Sequence, residues 1–274
     1  SSAASDVYKR QMDIVAVGQG SPWEVAYYDN NGSESFSKVI IDNLNAATYV
    51  KSLDIDGDGD LDIIVTARNS GKMVWYANNG NSNFGSANQI ISGISYISAP
   101  HYGDIDNDGD LDYVQGGFDN AYVRHLDVFY NDNGVLRLDT NQTNLVPINP
   151  AIVHWSDLNR DGRLDLVSIG ADAEQSLRMR VYINNSNYIL TPSMTWESEI
   201  FGVTAGAIAF GDYNSDGYDD FALTGMNGSG DLITYVVQNG INSFIVTHIL
   251  QGVYYGKPAW GDYDSDGDLD LSLI

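Results

Sequence analysis

Five short stretches of this chain concentrate acidic side chains, and in three of the stretches these fall at every second residue. The first reads Asp54-Ile55-Asp56-Gly57-Asp58-Gly59-Asp60-Leu61-Asp62, and the others begin at Asp104, Asp157, Asp212 and Asp262. All fit the pattern D-x-[DN]-x-D-G-x-x-D. The candidate ligands are Asp54, Asp56, Asp58, Asp60 and Asp62; Asp104, Asp106, Asp108, Asp110 and Asp112; Asp157, Asn159, Asp161, Arg163 and Asp165; Asp212, Asn214, Asp216, Tyr218 and Asp220; and Asp262, Asp264, Asp266, Asp268 and Asp270. Such sets suit a hard divalent cation, because calcium takes six to eight oxygens at about 2.3–2.6 Å. Positions 1, 3 and 5 offer side-chain oxygens from a tight turn, and Gly at position 6 lets the chain reverse. Position 7 offers its backbone carbonyl, so Arg163 and Tyr218 are admissible there. Asp at position 9 closes the cage. Carboxylates crowded this closely repel one another unless a cation sits among them. About five Ca²⁺ ions are expected, one per loop. The Asp157 loop, with Asn159 at position 3 and Arg160 and Arg163 within it, is expected to bind most weakly.

An EF-hand or dockerin needs a ligand at position 12 and a following helix. Here position 12 is Val65, Gln115, Ser168, Leu223 or Leu273. The residues that follow the loops read as strands. Ile63-Ile64-Val65, Tyr113-Val114, Leu166-Val167 and Phe221-Ala222-Leu223 are short apolar runs of the kind that forms buried strands. Ahead of the loops stand small and aromatic residues, as in Ala99-Pro-His-Tyr-Gly103 and Ala207-Ile-Ala-Phe-Gly211. After the apolar run comes an alternating strand closed by an Asn/Gly turn, as in Val74–Gly80, Val128–Gly134 and Val236–Gly240. Asn-Gly supplies the positive φ angles of a tight hairpin. A fourth strand follows, such as Phe84–Ile91 or Phe244–Leu250.

Four short antiparallel strands per period of about 50 residues predict an all-β fold, a β-propeller of four-stranded antiparallel blades. The chain carries about five blades' worth of strands. The expected division is a partial blade at 12–45, full blades at 46–95, 96–149, 150–202 and 203–252, and a partial blade at 253–270. The two ends look foreign. Residues 1–11, SSAASDVYKRQ, resemble at every position the in-frame translation of a transposase sequencing adapter. Residues 271–274 resemble the start of the same adapter reversed. Both are expected to be adapter-derived, leaving 12–270 as an internal piece of a longer gene recovered by metagenomic shotgun sequencing.

Composition excludes several classes. The formal net charge of −24 opposes binding to nucleic acid or anionic lipid. No apolar run reaches the roughly 18 residues of a membrane span, so no direct membrane insertion is expected. The absence of cysteine removes disulfides, thiolate metal sites and a Cys nucleophile.

The loops, the aromatic-Gly-Asp before them and the W-Y-x-N-N-G after them resemble FG-GAP/VCBS repeats over nearly all of 12–270. The resemblance implies a propeller, often seven-bladed, with Ca²⁺ in its blade loops. It is similar to the integrin α-subunit head and to secreted bacterial surface proteins. The Asp212 loop departs from the pattern, with Tyr218-Asp219 where the other strong loops have Asp-Leu.

No G-x-S-x-G, H-E-x-x-H or Walker loop is present. His101 and His154 hold equivalent positions in neighbouring repeats, where ring packing is the expected role and a metal or substrate site the alternative. Trp75, Trp155 and Trp260 sit on repeat positions and are expected in the core. Trp23 and Trp196 lie off the repeat and are the better ligand-stacking candidates. The expected function is non-catalytic: a calcium-stabilised extracellular or cell-surface module for adhesion or recognition of a protein or glycan, with further domains in the full-length protein. The alternative is a propeller domain of a carbohydrate-active enzyme such as a polysaccharide lyase.

Overall fold

The apolar run after each loop becomes the second strand of a four-stranded antiparallel sheet. A computed structural model describes residues 2–6, 11–18, 23–30, 32–33, 35–80, 82–94, 97–196 and 202–274. The first sheet runs β1 (Ser2–Asp6), β2 (Gln11–Val17), β3 (Val25–Asn30) and β4 (Phe36–Asp42). The second has β5 (Ala47–Leu53), β6 (Asp62–Ala67), β7 (Lys72–Tyr76) and β8 (Asn88–Ser92). The third has β9 (His101–Gly103), β10 (Asp112–Phe118), β11 (Arg124–Tyr130) and β12 (Arg137–Leu138). The fourth has β13 (Asn149–Ser156), β14 (Asp165–Ala171), β15 (Leu177–Asn184) and β16 (Leu190–Pro192). The fifth has β17 (Val203–Gly211), β18 (Asp220–Asn227), β19 (Leu232–Asn239) and β20 (Phe244–Gln251), and β21 (Pro258–Gly261) pairs with β22 (Asp270–Leu273). In each four-stranded sheet the strands lie in chain order, which is the blade of a propeller. Among the described residues there is no α-helix, only a 3₁₀ turn at Arg68–Ser70. Among the described residues no helix is long and apolar enough to cross a membrane.

The adapter-like stretch contributes β1, whose backbone pairs antiparallel with β2, Ser2 opposite Val15 and Asp6 opposite Gln11. The fourth strand expected from Phe84 begins at Asn88 instead. Phe84 makes a single bridge to Asn78, and Gly85 turns the chain by donating its N–H to the Ala77 carbonyl at 2.8 Å.

Contacts divide the chain into two compact units. One comprises Ser1–Ala99, Phe118–Val123 and Phe129–Arg137, the other Pro100–Gly117, Arg124–Val128 and Leu138–Ile274. In the first unit, Val15 and Val25 of the first sheet pack against Ile63, Val65, Val74 and Tyr76 of the second. In the second unit, Val167, Ile169, Met179 and Val181 of the fourth sheet meet Val203, Phe221, Leu223 and Val237 of the fifth. The second strands β6 and β14 are buried along their whole length. That is why they read as continuous apolar runs rather than alternating ones. Each such side chain contributes about 1.5–3 kcal/mol on full burial.

Candidate metal loops

The carboxylate at position 1 organises every loop. Its Oδ2 accepts the position 6 Gly N–H in all five: Gly59 to Asp54, Gly109 to Asp104, Gly162 to Asp157, Gly217 to Asp212 and Gly267 to Asp262, at 2.8–3.1 Å. The Oδ1 of position 5 accepts the position 7 N–H at 2.9–3.0 Å, from Asp60, Asp110, Arg163, Tyr218 and Asp268. The side chains thus cap the turn's own backbone donors, as Asp does in turns generally. Gly109 has φ +99°, and a Cβ there would meet nothing within 4 Å. Glycine is required by backbone conformation, not by space.

Three loops bring carboxylates together. Asp54, Asp56 and Asp58 have ligand atoms within 4.8 Å of one another, as do Asp104, Asp106 and Asp108, and Asp262, Asp264 and Asp270. In the first two, the Oδ1 of position 3, on Asp56 and on Asp106, is shielded from solvent and accepts no hydrogen bond. Burial, and then the neighbouring Asp58 or Asp108, holds both carboxyls above the ordinary range. A buried acceptor without a donor costs about 1–3 kcal/mol, more when charged. A hard cation on these oxygens removes that cost, so the donor set fits Ca²⁺.

The other two loops have an amide at position 3. Asn159 Nδ2 donates to Asp161 Oδ2, and Asn214 Nδ2 to Asp216 Oδ2, each at 3.0 Å. Arg163, taken from sequence as a carbonyl donor, turns its guanidinium onto Asp161. Gln238 Nε2 reaches Asp216 Oδ2 at 3.3 Å. Arg160 lies 5.0 Å from the centre of the Tyr218 ring in the next loop. The Asp216 carboxyl is lowered, first by the Tyr218 N–H, with the Arg160 charge also contributing.

Position 9 does something the sequence did not suggest. Asp62 accepts the Ile55 N–H on Oδ2 and the Asn78 N–H on Oδ1, both at 2.8 Å. Asp165 does the same with Leu158 (3.1 Å) and Asn184 (2.8 Å). Asp220 accepts the Asn239 N–H at 2.8 Å. These carboxylates pin the third strand to the loop of their own blade. Burial pushes them up, Asp62 to about 6, Asp165 to about 7 and Asp220 to about 6. The strand-ending Asn also reaches back to the preceding blade. Asn131 Nδ2 donates to the Ile55 carbonyl at 2.7 Å, and Asn184 to Ile105 and Asn239 to Leu158 at 2.9 Å. The signal was present, because an Asn recurs at this position in every period, but it reads equally well as turn chemistry.

The departure in the Asp212 loop has a physical reason. In the regular interfaces Gly103 lies against Leu164 and Trp155, and Gly211 against Trp260 and Leu269. At the intervening interface Ser156 takes the glycine's place and Asp219 the leucine's, and the Ser156 hydroxyl donates to Asp219 at 2.6 Å. An apolar contact has become a hydrogen bond, with both partners changed together.

His101 and His154 do meet, with ring centroids 3.7 Å apart, and Phe210 continues the stack 4.6 Å from His154. His101 Nδ1 accepts the Trp155 N–H at 3.1 Å, and His154 Nδ1 lies 2.8 Å from the Trp155 carbonyl. Those nitrogens are engaged by backbone, as ring packing requires. Trp75 and Trp155 are core residues, and Trp260 is half-buried, stacked on Tyr213 at 5.6 Å. Trp23 is half-buried. Trp196, expected to be available for ligand stacking, is 2% exposed and packs on Phe244 at 5.4 Å. It lies off the repeat because it fills the space between the fourth and fifth sheets.

The sequence profile of the FG-GAP-like repeat matches residues 10–65, 54–114 and 157–223. No curated protein matches the chain. Among solved structures, an Agrocybe aegerita lectin described for specific recognition of non-reducing terminal N-acetylglucosamine superposes with a TM-score of 0.61 and 18% identity, over 95% of this chain and 73% of that one. A Bacillus licheniformis rhamnogalacturonan lyase gives 0.48 and 16%, over 92% of this chain and 54% of that one. The likeness to the lectin is one of fold.

Proposed function

The chain belongs to the FG-GAP-like repeat family, and from that premise we propose that it is a calcium-stabilised, non-catalytic module for recognition of an extracellular protein or glycan. The observation that carries the calcium reading is the pair of solvent-shielded, donor-free oxygens on Asp56 and Asp106, each inside a carboxylate trio. Ca²⁺ would bind Asp54, Asp56 and Asp58; Asp104, Asp106 and Asp108; and Asp262, Asp264 and Asp270. Calcium is scarce inside cells and abundant outside, so loops of ordinary affinity fill at a cell surface or beyond it. That supports an extracellular, adhesive role. A glycan-recognising lectin of the same fold supports recognition. The net charge of −24 argues against a nucleic-acid partner.

Two measurements test the reading. Calorimetry of chelator-stripped protein titrated with Ca²⁺ should show saturable uptake; no uptake at millimolar Ca²⁺ sinks the calcium reading. A glycan array run beside an assay for unsaturated sugar products should give binding without product. Turnover of any polysaccharide would instead make the chain part of a carbohydrate-active enzyme.

A further inference from the structure

We propose that the Asp157 loop carries its own cation: the Arg163 guanidinium takes the place of a metal ion there, and this loop holds no Ca²⁺. The inference rests on the calcium reading for the neighbouring loops.

The side-chain oxygens of this loop are met from within the protein. Asp157 Oδ1 accepts the Asp161 N–H at 3.0 Å and its Oδ2 the Gly162 N–H at 2.9 Å. Asp161 Oδ1 accepts the Arg163 N–H at 3.0 Å, and its Oδ2 accepts the Asn159 amide at 3.0 Å and the Arg163 guanidinium. Asp165 spends both oxygens on the Leu158 and Asn184 N–H groups. Asn159 Oδ1 accepts the Asp161 N–H at 2.9 Å. Every side-chain oxygen at positions 1, 3, 5 and 9 therefore has a donor. The Asp104 loop differs at the position that matters, because Asp106 Oδ1 is buried and has none.

Arg163 is also held in place. Its Nε donates to the Asn184 carbonyl at 2.8 Å, and Asn184 is itself pinned by Asp165 and by its bond to Ile105. An ion entering this loop would have to displace a charged group already bonded to Asp161 and tethered to β15. At positions 1, 3 and 5 it would gain only two carboxylates, where the Asp104 loop offers three. A guanidinium is always protonated and cannot be chelated away. The blade around Arg163 is therefore built to stay closed when calcium is withdrawn.

Hydrogen exchange on the full chain, in Ca²⁺ and then in EDTA, reads this loop by loop. Removal of Ca²⁺ should speed exchange over residues 104–112 at least tenfold and leave 157–165 within about twofold. Equal acceleration of the two segments would overturn the inference while leaving the calcium reading standing. Should neither segment respond, the calcium reading falls, and Arg163→Gln decides the rest. In EDTA that variant should speed exchange at 157–165 tenfold or more. Unchanged exchange would show that Arg163 is a surface side chain and not a substitute cation.

Discussion

Asp106 has a solvent-shielded carboxylate oxygen without a hydrogen-bond donor, and Asn159 shows what an amide does at the same position. The amide donates to position 5 and removes both the charge and the orphan. Asp106→Asn should therefore act with opposite signs in two conditions. In chelator it should raise Tm by a few degrees, since about 1 kcal/mol of unmet acceptor is relieved. In millimolar Ca²⁺ it should lower Tm and remove one bound ion from the count read by native mass spectrometry. A fall in both conditions would mean that Asp106 serves the turn rather than an ion. The residue types of this site were legible in the sequence, because alternating Asp around a Gly has few other uses. The division of labour among them was not. Position 9 looked like a fifth ligand; in Asp62 and Asp165 both oxygens also accept backbone N–H groups, while Asp270 lies in the Asp262 trio. Which donor a carboxylate serves depends on strands that lie 16–19 residues further along the chain.

At the scale of the element, the repeating strands were readable because each is bounded by loop and turn signals, and β6 and β14 carry the short apolar runs Ile63–Val65 and Leu166–Val167. Hairpin detail was less so. Asn239-Gly240 was expected to supply positive φ, yet Gly240 does not adopt it and the next residue, Ile241, sits at φ +75°. A β-branched side chain is poorly suited to that region. Ile241 is also half exposed, so little packing is lost by changing it. Ile241→Asn should raise Tm by a few degrees, reflecting about 1 kcal/mol; a lower Tm would mean that the Ile side chain is needed where it is. The strand-ending asparagines carry the opposite expectation. Asn184→Ala removes the donor to the buried Ile105 carbonyl and should cost about 1–3 kcal/mol by urea denaturation. A loss below about 0.5 kcal/mol would show that water replaces the amide.

Across the whole molecule, acidity and metal act on the same carboxylates. Asp62, Asp165 and Asp220 have folded values of about 6, about 7 and about 6 against an ordinary 3.8. The folded state therefore holds their protons more tightly than the unfolded chain does. In chelator, stability should grow as pH falls from about 8 to 5, because stability from raised carboxyls is lost as pH rises through the folded values. Asp172, lowered with the help of Arg180, works against this only below its ordinary range. A Tm that declines steadily from pH 8 to 5 in EDTA would contradict the assignment. Calcium should raise Tm most at neutral pH and above. One site at a hundredfold excess over Kd contributes about 2.7 kcal/mol, against a usual total of about 5–15 kcal/mol. Mg²⁺ should replace it poorly, since it requires a tighter octahedral shell; equal melting in Mg²⁺ and Ca²⁺ would point to simple charge screening.

The bonds of these three strand-ending asparagines also share a direction. Asn131, Asn184 and Asn239 each reach back to a carbonyl made 76–81 residues earlier. On a ribosome, where the chain emerges from its N-terminus, a finished blade must wait for the next one before its loop carbonyl is met. At these three junctions the growing edge presents one unmet acceptor, and the arriving blade brings its donor. At these three carbonyls assembly has a direction: the later blade supplies the donor that the earlier loop lacks.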